Sequence, residues 1–192
     1  MSVTPPSTFA IDVPAALLSR ARQGEAAAFE QLYRWFERPV FTLALRLCGQ
    51  REEAQDILQD TMLKLFDKLG EFRGDAPFWG WLRQIAVNEA LMRLRKRDRL
   101  RVDDDADESA LEAQDTLLPP QAADAAMLGK ALAALPDATR SVLWLYHAEG
   151  YTHEEIAGLT GKTISYSKSQ LARGTRKLRA LLAIDSEVQA HG

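Results

Sequence analysis

The sequence predicts an all-α protein of two small helical domains joined by a flexible acidic linker, the C-terminal domain a helix-turn-helix. Three observations carry that prediction. Apolar residues recur at spacings of three and four over most of the 192 residues, and no β-type alternation of useful length interrupts them. An acidic, aromatic-poor stretch containing Pro119-Pro120 separates two such helical regions. Thr152 to Leu182 reads as a helix, a Thr160-Gly161 break, and a second helix loaded with base.

Residues 1–14 hold Pro5, Pro6 and Pro14 among small polar residues and are expected to be a loose arm. Residues 15–97 form the first domain. Phe29, Leu32, Tyr33 and Phe36 mark one helical face, and Pro39 is expected to kink or divide this helix from the next. Gly49-Gln50 ends that segment. A helix over about 52–69 places Ile57, Leu58, Met62, Leu65, Phe66 and Leu69 on one side. Residues 72–77 read as a loop, and a further helix runs from about Phe78 to Arg97. Residues 98–122 are the expected linker. Residues 123–184 form the second domain, with helices near 123–134, 138–149, 153–159 and 164–182, and residues 185–192 are a tail.

In the second domain, Thr152 and Glu155 have capping-box spacing, and Thr163 can cap the final helix. Ile156, Ala157 and Leu159 are expected to pack against Ile164, Leu171 and Leu178. That arrangement turns Ser165, Tyr166, Lys168, Ser169, Arg173 and Arg176 away from the seam. Ser165, Lys168, Ser169 and Arg173 then suit base edges, and Arg176, Lys177 and Arg179 suit phosphates.

The formal charge of −3 hides a segregation. Arg83 to Arg101 holds seven bases against two acids, Asp103 to Asp124 eight acids and no base, and Lys162 to Arg179 six bases and no acid. From 72 to 99, Phe72, Arg73, Phe78, Trp79, Trp81, Arg83, Arg93, Arg95 and Lys96 interleave rings with cations, a mixture suited to single-stranded DNA. Asn88 lies seven residues after Trp81, on the same helical face. Trp79 and Trp81 read equally well as core.

No apolar run approaches the roughly 20 residues a membrane span needs, and no secretory pattern opens the chain, so a cytoplasmic protein is expected. One cysteine, Cys48, excludes an internal disulfide and a multi-cysteine zinc site. His147 and His153 lack metal-ligand spacing, and no nucleophile–base pair or phosphate cradle is evident. Neither an enzyme, a cofactor nor a metal is expected.

The order of these parts resembles the extracytoplasmic-function sigma factors of bacterial RNA polymerase, over about residues 20–182. AQDILQDTMLKLF looks like the family's clamp-docking segment, FRGDAPFWGWLRQIAVN like its −10 melting segment, and LPDATRSVLWLYHAEGYTHEEIAGLTGKTISYSKSQLARGTRKLR like its −35 domain. The resemblance implies that Asp56, Gln59, Asp60 and Leu63 bind core polymerase. Phe72, Arg73, Gly74, Asp75 and Ala76 would form the loop that captures a flipped −10 base. Trp81, Arg83, Asn88, Arg93, Arg95 and Lys96 would stand beside it. Ser165, Tyr166, Lys168, Ser169, Gln170, Arg173, Arg176 and Lys177 would contact the −35 duplex. Implied partners are core polymerase at its clamp and flap, promoter DNA as −35 duplex and single-stranded −10 element, and an anti-sigma factor. The alternative is a stand-alone helix-turn-helix regulator, which would need neither the clamp segment nor Phe72–Asn88.

Four positions depart from the family pattern. Ser167 replaces an aliphatic residue, and Gln170 and Thr175 stand where arginine is common. Gln170 would favour adenine over guanine. Gly174, in mid-helix, is expected to loosen the final helix at about 0.5–1 kcal/mol relative to alanine. The linker's acids are expected either to thread toward the polymerase active centre or to mask the basic faces of the free protein.

Overall fold

A computed structural model describes residues 11–102 and 120–190, all helix and turn with no strand among them. The acidic residues 103–119 of the expected linker, and most of the expected N-terminal arm, lie outside the described residues. Eight α-helices follow in order: α1 Ala15–Arg22, α2 Ala26–Cys48, α3 Arg51–Lys68, α4 Phe78–Val102, α5 Pro120–Ala133, α6 Asp137–His147, α7 His153–Thr160 and α8 Ile164–Ala190. A single 3-10 turn, Leu69–Glu71, follows α3. Among the described residues no helix is long and apolar enough to cross a membrane. Two compact units form, one of residues through Leu45 with Gln50–Arg93, the other of Arg46–Gly49 with Leu94 onward.

In the first unit α2 continues through Pro39, so of the expected kink or division the division does not occur. An interior proline costs about 3 kcal/mol. Leu32 and Phe36 before it, and Val40 and Leu43 after it, are all essentially buried. Each such burial returns roughly 1.5–3 kcal/mol, so both halves stay on one core face and the helix persists. Gly49, at φ +77°, ends α2 in the left-handed region.

The buried face of α3 is Ala54, Ile57, Leu58, Thr61, Met62 and Leu65. Phe66, expected among them, is 59% exposed, as is Leu63. A helix stripe is only about 100° wide, and Phe66 lies beyond its edge. Phe66 instead meets the Phe29 ring edge-on at 4.9 Å. Helix α4 outlasts its expected end at Arg97 by one turn and a half, because nothing between Lys96 and Val102 breaks a helix.

The second unit is organised by α8. Leu171 and Leu178 pack on the buried leucines Leu132, Leu135 and Leu143 of the α5–α6 hairpin. Arg140, almost wholly buried, closes that hairpin by donating to the Leu135 carbonyl at 3.1 Å and to Asp137 Oδ1 at 2.7 Å. The expected seam instead set Ile164, Leu171 and Leu178 against Ile156, Ala157 and Leu159, and Ile164 is 40% exposed. It stands in the first turn of α8, before the helix reaches those leucines. Helix α8 continues to Ala190, through most of the expected tail; no glycine or proline follows Gly174 until Gly192.

Gly174 is buried, and its role is the reverse of a loosening. A Cβ there would sit on Leu143 of α6 and 2.7 Å from Thr139 Cγ2. The missing side chain lets α6 and α8 cross closely.

Candidate nucleic-acid interface

The first candidate surface is built on Phe72, Phe78 and Trp81. Phe72 and Phe78 are buried and meet edge-on at 5.2 Å, while half-buried Trp81 lies 5.3 Å from Phe72 and 5.6 Å from Phe78. Trp81 is thus the ring of this trio most open to solvent. Trp79 takes the core alternative, buried and stacked on Phe36 at 6.0 Å with 6° between ring planes. Between Phe72 and Phe78 in the chain, Arg73, Gly74, Asp75 and Ala76 are all exposed, with Gly74 at φ +82°.

Arg22 of α1 holds the root of this loop, donating to the carbonyls of Leu69, at 3.2 Å, and of Phe72. Sequence reasoning missed Arg22, and no local signal marks it: its partners lie 47 and 50 residues away.

Along α4, Asn88 is exposed and Gln84 donates to its side-chain oxygen at 3.4 Å. Arg83 is 8% exposed, so its charge is withdrawn from the surface. Arg93 donates to Asp56 at 2.9 Å and Asp60 at 2.7 Å, and Asp60 foremost raises its already high pKa. Residues assigned to two different tasks, Arg93 for DNA and Asp56 and Asp60 for polymerase, therefore form one ion-pair cluster. Arg95 and Lys96, one turn on, are exposed. Beside the cluster, Gln59, Leu63 and Phe66 present an exposed, partly apolar strip on α3. Phe66 is the member sequence reasoning had placed in the core; its spacing of three from Leu63 was the available signal.

The second candidate surface is α7 and α8. Both arms of the capping box are formed: Thr152 N–H donates to Glu155 Oε2 at 2.8 Å, and Glu155 N–H to Thr152 Oγ1 at 3.2 Å. Gly161 closes α7 at φ +68°, and Thr163 Oγ1 accepts from the Tyr166 N–H at 3.1 Å. These local bonds set the angle at which α8 starts. Ser165, Lys168, Arg173, Arg176 and Lys177 are exposed along it.

Tyr166, Ser169 and Gln170 are half-buried. Gln170 Oε1 accepts from Thr139 Oγ1 of α6 at 2.7 Å, and Ser169 Oγ donates to the Tyr166 carbonyl at 2.9 Å. Burial pushes the Tyr166 phenol above its ordinary pKa, and Lys162 sits 5.9 Å over its ring. Ser167 is fully buried, its hydroxyl 2.9 Å from His153 Nδ1. A polar residue at this aliphatic position is thereby satisfied.

Two family models match the chain: Sigma-70 region 2 over residues 32–100, and Sigma-70, region 4 over residues 125–178. The RNA polymerase sigma-H factor of Pseudomonas aeruginosa is 30% identical over 184 residues, covering 90% of this chain and 92% of that protein. The ECF RNA polymerase sigma factor SigM of Mycobacterium tuberculosis is 33% identical, over 88% and 84% of the two chains. Among solved structures, the sigma factor RpoE of Bartonella quintana, crystallised with the anti-sigma factor NepR, aligns at TM-score 0.55 and 30% identity, covering 82% of this chain and 98% of that one.

Proposed function

The chain belongs to the extracytoplasmic-function sigma factors of bacterial RNA polymerase, and from that premise we propose how it divides promoter recognition between its two surfaces. The α7–α8 pair holds the −35 element as duplex. Ser165 and Arg173 read base edges, while Lys168, Arg176 and Lys177 hold phosphates. Gln170 and Ser169 are left out of the reading set, since each already bonds within the helical unit.

The loop Arg73–Ala76 and the Trp81 ring hold the −10 element as melted strand. The observation that carries this reading is Trp81: a half-buried ring packed on the two buried rings that flank a fully exposed loop. Such a platform stacks an extruded base of any identity, while loop backbone and Asn88 supply the hydrogen bonds that choose among bases. Opening then needs strand capture and no bond chemistry, so the protein has no catalytic activity of its own. The strip Gln59–Leu63–Phe66, flanked by the Asp56–Asp60–Arg93 cluster, docks core polymerase. The protein works in the cytoplasm, where an anti-sigma factor restrains it, as in the solved complex of its Bartonella relative.

Transcription with core polymerase on a randomised promoter pool tests the whole reading. It should enrich two elements at a fixed spacing, and absence of run-off product would sink it. Tight binding to closed duplex without initiation would favour the stand-alone regulator.

A further inference from the structure

No DNA contact is assigned to His147 or His153, yet the fold brings both to one cleft of about 490 Å3 at the end of α6, the start of α7 and the middle of α8. Lys168, Arg176 and Arg179 line the cleft with them, and no acidic side chain does. His153 is held from two directions. Tyr146 stacks on its ring at 4.7 Å with 21° between planes, and Ser167 Oγ lies 2.9 Å from Nδ1. Ser167 has no exposed surface, so its hydroxyl has no water to turn to. When Ser167 donates to Nδ1, the ring carries its proton on Nε2, and that N–H is left as a donor for a ligand. One such donor with an ammonium and two guanidinium groups around a cleft is the donor set a phosphate requires.

We propose that this cleft binds a phosphate group, with His153 as a donor positioned by Ser167, and that in the promoter complex the group is a backbone phosphate of the duplex held by α8. The proposal rests on α7–α8 being the duplex-binding unit. A free phosphate ion has the same chemistry, and the test separates the two sources. Full-length protein is titrated with −35 duplexes in which one backbone phosphate at a time is a neutral methylphosphonate, and separately with inorganic phosphate while the imidazole resonances of His147 and His153 are followed by NMR. A methylphosphonate at the position that faces the cleft is expected to weaken binding about tenfold, and His153→Ala shrinks the penalty at that position and at no other. Ser167→Ala reduces it, and His147→Ala, an exposed side chain, repeats the test should His153→Ala fail to fold. Resonance shifts with inorganic phosphate but no position-specific coupling overturn the DNA placement and leave a free-anion site. Neither shifts nor coupling overturns the proposal. Run-off transcription on the same preparations keeps the two readings apart: transcription without coupling sinks the cleft alone, and coupling without transcription sinks the promoter-recognition reading alone.

Discussion

The cations of the two surfaces are held differently. On α8, Lys168, Arg173, Arg176 and Lys177 stand exposed along one helix. On the α3–α4 face, Arg83 is buried and Arg93 is shared by two carboxylates. The α8 surface has charge to offer a duplex before contact, whereas the other surface joins rings and a loop to a mixed set of cations: Arg83 and Arg93 are committed within the fold, and Arg73, Arg95 and Lys96 are exposed. If the two surfaces act as proposed, the α8 grip leans more on long-range charge and the other more on stacking against a ring.

The comparison is broken most severely through the scaffold of α8. Gly174→Ala forces a Cβ into Leu143 and Thr139, an overpacking expected to cost about 1–3 kcal/mol. A lowered melting transition and weakened −35 duplex binding should appear together, with strand capture by the isolated −10 sequence unaffected. A stabilised variant would instead restore the reading of Gly174 as a loose point. Trp81→Ala attacks the other grip. Loss of one stacking platform, worth about 1–3 kcal/mol per base, should slow open-complex formation roughly tenfold while duplex affinity holds. Equal damage to both activities would mean that the two surfaces are not separate. Thr152→Ala removes one arm of the capping box and should lower stability by about 1 kcal/mol in chemical denaturation, a local loss confined to the C-terminal unit. The gentlest probe is Lys177→Ala, expected to reduce the slope of log K against log salt by about 1 for duplex binding. The same measurement on a pre-melted −10 strand should show no change in slope.

The two regions also differed in how openly the sequence announced them. Thr152, Glu155, Gly161 and Thr163 act within three or four residues of themselves, so their spacing alone predicted both helix starts and the turn. Gly174 deceived for the opposite reason: its glycine preference comes from Leu143 and Thr139, some 30 residues upstream, and helix propensity is blind to them. Ser167 looked like a departure until His153 stood beside it. Pro39 does not divide its helix because burial on either side offsets its local cost. Arg22, bound to carbonyls across the fold, had no sequence signature at all. Of the assigned contact residues, the exposed ones on α8 kept to their helical face, while Arg83, Arg93 and Gln170 were turned to internal partners that only packing defines.

The Arg22 clasp has a consequence for the entropy of capture. Its two bonds reach the carbonyls of Leu69 and Phe72, and Phe78 at the far side is buried. Only Arg73 to Pro77 lie between those fixed points. Ordering a backbone residue costs about 1–2 kcal/mol, and proline, with its ring-locked φ, has less to lose. In the capture proposed for this loop, the backbone left to be ordered is thus at most about four residues, the flanking positions being fixed by the fold itself.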